Sequence, residues 1–97
     1  MQQLSEIRSI LRAHAGDLRD RFGISNLAIF GSVVRGEARE DSDVDILAEV
    51  ERPIGLIALC GAENFLSELL GVKVDLVLKR SVRRELRERI LNEAVYV

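Results

Sequence analysis

The chain has 97 residues, enough for one compact domain and too few for a second lobe with its own core. Apolar residues make up 47% and charged residues 31%, a balance that supports a buried core beneath a mixed, water-compatible surface. One cysteine excludes an internal disulfide and a Cys-rich zinc site, one histidine excludes a paired-His metal centre, and no apolar run approaches the roughly 20 residues that span a bilayer. The opening MQQLSEIRS lacks the basic-then-apolar pattern of a secretory signal, so a cytoplasmic location without a membrane partner is expected.

The net charge of −2 is unevenly spread: residues 1–78 hold eight basic and thirteen acidic side chains, whereas residues 79–97 hold six and three. An acidic domain is poorly suited to non-specific nucleic-acid binding, which depends on neutralising phosphates. Three Phe and one Tyr offer no stacking platform for single strands. Nucleic acid is therefore not expected as a direct partner.

Leu4, Ile7, Leu11, His14, Leu18 and Phe22 recur at spacings of three and four and predict one helix over about 3–21, closed by Gly23. Leu27–Phe30 reads as a short strand ended by Gly31-Ser32. Residues 33–42 are polar, with Gly36 limiting any helix there to a turn. Asp43–Val50 begins with alternation and reads as a second strand. Leu59, Ala62, Phe65, Leu66, Leu69 and Leu70 form a wide helical stripe closed by Gly71, and Val72, Val74, Leu76 and Leu78 mark a third strand. Ser81 is the expected N-cap of a last helix from Val82 to Leu91, and the terminal AVYV fits a short fourth strand. The order predicts an α/β (α+β) domain: a small mixed β-sheet with flanking helices, most of them on one face.

The chemistry is concentrated between Phe30 and Leu47. Asp43 and Asp45 lie two apart on a predicted strand, so both carboxylates point to one face. Crowded carboxylates repel and raise a pKa unless a cation separates them. With oxygen donors and no His or Cys nearby, that cation is expected to be Mg²⁺ or Mn²⁺. Asp75 sits mid-strand between Val74 and Leu76, which face the other way, and a lone strand carboxylate calls for a partner or a metal. Three aspartates on one face would make a two-metal site for phosphoryl transfer. Gly31-Ser32 would let a phosphate approach the backbone closely and offers an N–H and a hydroxyl, and the Arg35 guanidinium suits a phosphate contact.

Apolar-Gly31-Ser32, then Asp43-Val44-Asp45-Ile46, then Val74-Asp75-Leu76 resembles the polymerase-beta-like nucleotidyltransferase superfamily. Gly31 to Gly36, Asp41 to Asp45, Leu70 to Val77, Leu86 to Ile90 and Glu93-Ala-Val95 are similar to its minimal nucleotidyltransferase (MNT) family, with the likeness covering nearly the whole chain. The resemblance implies a single nucleotidyltransferase domain over 1–97 with that superfamily's core fold. It implies Mg²⁺-dependent transfer of AMP from ATP to a hydroxyl, with two ions on Asp43, Asp45 and Asp75, and with Gly31 and Ser32 on the β- and γ-phosphates. Asp75 would also help deprotonate the acceptor. The implied partner is a HEPN-type ribonuclease toxin, modified on a tyrosine by this chain as its antitoxin. The alternative is a catalytically silent module that neutralises the toxin by covering it.

The remaining side chains have plainer readings. His14 is expected to be a packed or partner-facing histidine, Cys60 a small core residue and Tyr96 a packing residue. Arg80, Arg83, Arg84, Arg87 and Arg89, diluted by Glu85 and Glu88, are expected to form a solvated face.

Overall fold

The computed structural model describes residues 3–39 and 41–97. The first apolar stripe forms two helices, α1 (Leu4–Ala13) and α2 (Ala15–Phe22), where one was expected. The break falls at His14, whose φ of −111° and ψ of 11° leave the helical region. Its N–H donates to the Leu11 carbonyl, a tightened turn that abandons the Ile10 carbonyl. The ring Nδ1 meets that carbonyl at 3.0 Å, so the imidazole satisfies the acceptor that the backbone leaves free. The ring also packs edge-on against Phe65, in line with the packing role expected of it.

β1 (Ile24–Phe30) begins directly after Gly23 and is longer than the Leu27–Phe30 expected. A single helical turn, α3 (Ser32–Arg35), follows Gly31 and precedes β2 (Val44–Val50). Then come α4 (Leu56–Leu70) and β3 (Val74–Leu78). The last helix, α5 (Arg84–Glu93), starts later than expected, after a 3-10 turn over Lys79–Ser81, and its N-cap is Arg83, not Ser81. Val82 explains the delay: it stays extended (φ −69°, ψ 131°) and buries its side chain, so the helix starts only beyond it. β4 (Val95–Tyr96) closes the chain.

The four-stranded sheet has the order β3-β2-β1-β4. β1 and β2 are antiparallel, β3 returns parallel to β2 through the α4 crossover, and β4 runs antiparallel to β1. Ile29, Ile46 and Val74 lie in the larger core with Ile7 and Leu11 of α1, Leu18 of α2, and Leu66 and Leu70 of α4. Truncating a fully buried member such as Leu66 to Ala would cost about 2–5 kcal/mol. On the other face, Ala28 and Leu47 form a smaller cluster with Val82, and Ile90, Leu91 and Ala94 pack against it. β3 is an edge strand, and α4 caps its outer side: Val74 N–H donates to Ser67 Oγ at 3.0 Å and Leu76 N–H to Glu63 Oε2 at 2.9 Å.

Cys60 is exposed, contrary to its expected core place. Ala62, Leu66 and Leu70 define the buried side of α4, and Cys60, two residues before Ala62, falls on the other side beside the exposed Leu56 and Ile57. Tyr96 is only half packed, at 46% exposure on the short edge strand. Arg83, Arg84, Arg87 and Arg89 lie on a solvated surface, as expected. Among the described residues no helix is long and apolar enough to cross a membrane.

Candidate active site

The site is built by register. Phe30 pairs with Asp45, and Asp45 pairs with Asp75, so three adjacent strands form one row. Period-two alternation buries Val44, Ile46, Val74 and Leu76 against the larger core and turns Asp45 and Asp75 to the opposite face. Asp75 is exposed and Asp45 is half-buried. Asp43 precedes β2 at the same end, its carboxylate 44% exposed and 3.9 Å from Lys73 Nζ.

Asp45 is the strained member of the group. Burial is the main cause that pushes its carboxyl above the usual range, followed by the charges of Asp75 and Asp43, while Arg35 opposes the shift. Among the described residues no group of three His, Cys, Asp or Glu side chains is gathered closely enough to hold a metal ion by itself. The aspartates are an open, oxygen-only donor set with a charge deficit centred on Asp45, which fits a hard divalent cation whose remaining ligands come from elsewhere.

Gly31 abuts this group. It has a φ of +82° and a ψ of −153°, a conformation open in practice only to glycine. A Cβ at this position would run into the Asp45 carboxylate. The turn therefore brings bare backbone against the acidic cluster, and Ser32 opens α3 immediately afterwards. Arg35 stands at the end of α3 with its Nε on Glu37 Oε2 at 3.1 Å and its Nη1 on Glu93 Oε1 at 2.5 Å. The hydrogen bond to Glu37 is the main cause that raises the guanidinium's pKa further above its already high ordinary value. Glu93 also accepts the Gly31 N–H at 3.0 Å.

The structure thus brings Asp45, Asp75 and Gly31 together with Asp43 at the margin, and it places Arg35 beside them in the grip of two carboxylates. Sequence reasoning missed Glu93 as part of this neighbourhood. It lies 62 residues from Gly31, and helical periodicity carries no signal for that contact.

The nucleotidyltransferase domain model matches residues 11–97. The protein adenylyltransferase MntA of Thermococcus cleftensis is 50% identical, with 100% of this chain and 98% of the relative covered. A solved structure provisionally described as a minimal nucleotidyltransferase superimposes with a TM-score of 0.80 at 40% identity, covering 97% of this chain and 95% of that one. The fold also recurs in a complex of the tri-AMPylated Shewanella oneidensis HEPN toxin with its MNT antitoxin. There the TM-score is 0.69 at 22% identity, covering 93% of this chain and 70% of that one. The chain belongs to the nucleotidyltransferase domain family. Within that family it is a minimal nucleotidyltransferase, an enzyme similar to the protein adenylyltransferases.

Proposed function

We propose that this chain transfers the AMP unit of ATP to a tyrosine hydroxyl of a HEPN-type toxin and thereby acts as its antitoxin. The observation that carries the reading is the Asp45–Asp75 pair, side by side across β2 and β3, with the Gly31 backbone pressed against it. The adenylyltransferase relative supports the reaction, and the complex of like fold suggests the kind of acceptor.

In the reaction the acceptor oxygen forms a bond to the α-phosphorus, the bond to the α–β bridging oxygen breaks, and pyrophosphate leaves. Asp75, exposed on the edge strand, takes the acceptor's proton. Gly31, having no side chain, lets the β- and γ-phosphates approach the backbone closely, Ser32 offers its hydroxyl to them, and Arg35 adds a guanidinium to that grip. Asp43, Asp45 and Asp75 would hold two Mg²⁺ ions, with Mn²⁺ compatible with the same donors. Such ions, when bound, supply charge neutralisation around the α-phosphate and the leaving group. Asp45 beside Asp75, without a third ligand gathered close by, suits ions whose shells would be completed by the nucleotide's own oxygens.

Incubating the chain with its HEPN partner, ATP and Mg²⁺, followed by intact-mass spectrometry, tests the proposal. The expected result is a gain of one or more AMP units on the partner, absent with Asp75→Asn. Inhibition of the partner with no mass change, equally strong in Asp43→Asn and Asp75→Asn, would establish the silent binding module instead.

A further inference from the structure

We infer that Glu93 is a positioning residue for the nucleotide: one carboxylate, at the end of α5, sets both the Gly31 turn and the Arg35 guanidinium. The inference rests on the nucleotidyltransferase reading above and adds a residue to it.

Glu93 is the last residue of α5, and its side chain is only 17% exposed. Its Oε1 accepts from the Gly31 N–H at 3.0 Å and from Arg35 Nη1 at 2.5 Å. Gly31 is the residue of the turn with φ at +82°, where the chain has no intrinsic preference that would hold it. The N–H bond to a largely buried carboxylate therefore tethers one side of a turn whose carbonyl is already held by the Val34 and Arg35 N–H groups. Arg35 is bound along its Nε edge by Glu37 and at Nη1 by Glu93, so the planar guanidinium is fixed in orientation. A guanidinium has five donors, and these contacts leave part of the fork for a phosphate. Arg35 and Glu93 both line an open hollow of about 650 Å³ between α3 and α5. The residue after Glu93 leads directly into β4, which pairs with β1, the strand that ends at Phe30 just before Gly31. The clamp is thus anchored to the sheet that it serves.

The two contacts can be separated. Glu93→Gln keeps an oxygen for the Gly31 N–H and removes the charge that holds Arg35, whereas Glu93→Ala removes both. Binding of ATP with Mg²⁺, measured by isothermal titration, needs no acceptor and reads the effect directly. About a tenfold loss of affinity is expected for Glu93→Gln and nearer a hundredfold for Glu93→Ala. In an Arg35→Ala background the Glu93→Gln effect should largely disappear, a coupling that a merely structural role would not produce. The melting temperature of Glu93→Gln should stay near that of wild type. Unchanged affinity in Glu93→Gln, with wild type binding ATP normally, overturns this inference alone. Tighter binding in Glu93→Gln would mean that the carboxylate competes with phosphate, and it overturns the inference equally. Wild type that fails to bind ATP overturns the functional reading and this inference with it.

Discussion

Asp45 and Glu49 sit on the same strand, four residues apart, and period-two geometry points them to the same face of the sheet. At the Glu49 end the charge is matched. Lys79 Nζ lies 2.6 Å away and Asn26 donates to the same carboxylate, and those two bonds hold Glu49 below the usual carboxylate range. At the Asp45 end burial, and after it the charges of two more aspartates, push the carboxyl up against the opposing charge of Arg35. The Glu49 end also has room, since Ser25, Glu49, Lys79, Arg80 and Arg87 line a hollow of about 490 Å³. Neither concavity nor the presence of a strand carboxylate therefore separates an active site from an ordinary surface. What separates them is whether the fold supplies the counter-charge or leaves it to a ligand.

The sharpest way to break that contrast is to neutralise each carboxylate in turn. Asp45→Asn should abolish AMP transfer, by more than about a hundredfold, since even groups one shell removed from a metal typically cost 10–100-fold. Glu49→Gln should leave transfer near wild type in the same assay. Equal loss in the two variants would remove the distinction between the two ends.

Next in size is Gly31→Ala. The added methyl must occupy space held by the Asp45 carboxylate, on a backbone with φ at +82°. A destabilisation of about 1–3 kcal/mol in urea unfolding is expected, together with loss of transfer because Asp45 is displaced. Retained activity with wild-type stability would mean that the turn and the acidic cluster are not mechanically linked.

The smallest effects are in stability against pH, and they have opposite signs. Asp45 has a folded-state pKa raised above its ordinary 3.8, so its ionised form destabilises the metal-free protein. Asp45→Asn should therefore melt higher than wild type at neutral pH without Mg²⁺, and the gap should close as pH falls through the raised folded pKa toward 3.8. Glu49 is lowered from 4.5, so its contribution is present above that value and is lost as pH falls below it through the depressed folded pKa. Glu49→Gln should melt slightly lower than wild type at neutral pH, with the gap closing only below about 4.5. Calorimetric melts between pH 3 and 7 would check both signs, and a lower-melting Asp45→Asn at pH 7 would contradict the crowding.

The features legible in the sequence were the local ones. Alternation through Asp45 and Leu47, and through Asp75 and Val77, told which side chains share a face, because strand period is a property of the backbone alone; Asp43, expected as the first residue of the strand, lies just before it. Gly31 announced itself by its place at the end of an apolar run. What stayed hidden depended on distant neighbours. Crowding was expected for Asp43 and Asp45 alike, yet Asp43 is the more open of the two and stands near Lys73. The division of the first helix at His14 depends on a ring nitrogen finding its own backbone carbonyl, which no hydrophobic stripe encodes. Cys60 looked like core because α4 is apolar nearly all round, and only the packed structure shows which side faces the sheet. Arg35 was read as available to phosphate, but its two carboxylate partners lie on different elements.

The α4 side chains that cap β3 have a consequence for how these molecules behave in company. β3 is an outer strand rich in Val and Leu, the kind of edge that invites a second chain to add itself and start a growing aggregate. Glu63 and Ser67 already occupy the Leu76 and Val74 donors, so a strand arriving from outside finds these two docking points taken. The strand that presents Asp75 can thus stay at the rim without becoming a seed for self-association. Losing either cap would be felt first at high protein concentration, as light scattering in a solution of otherwise folded protein.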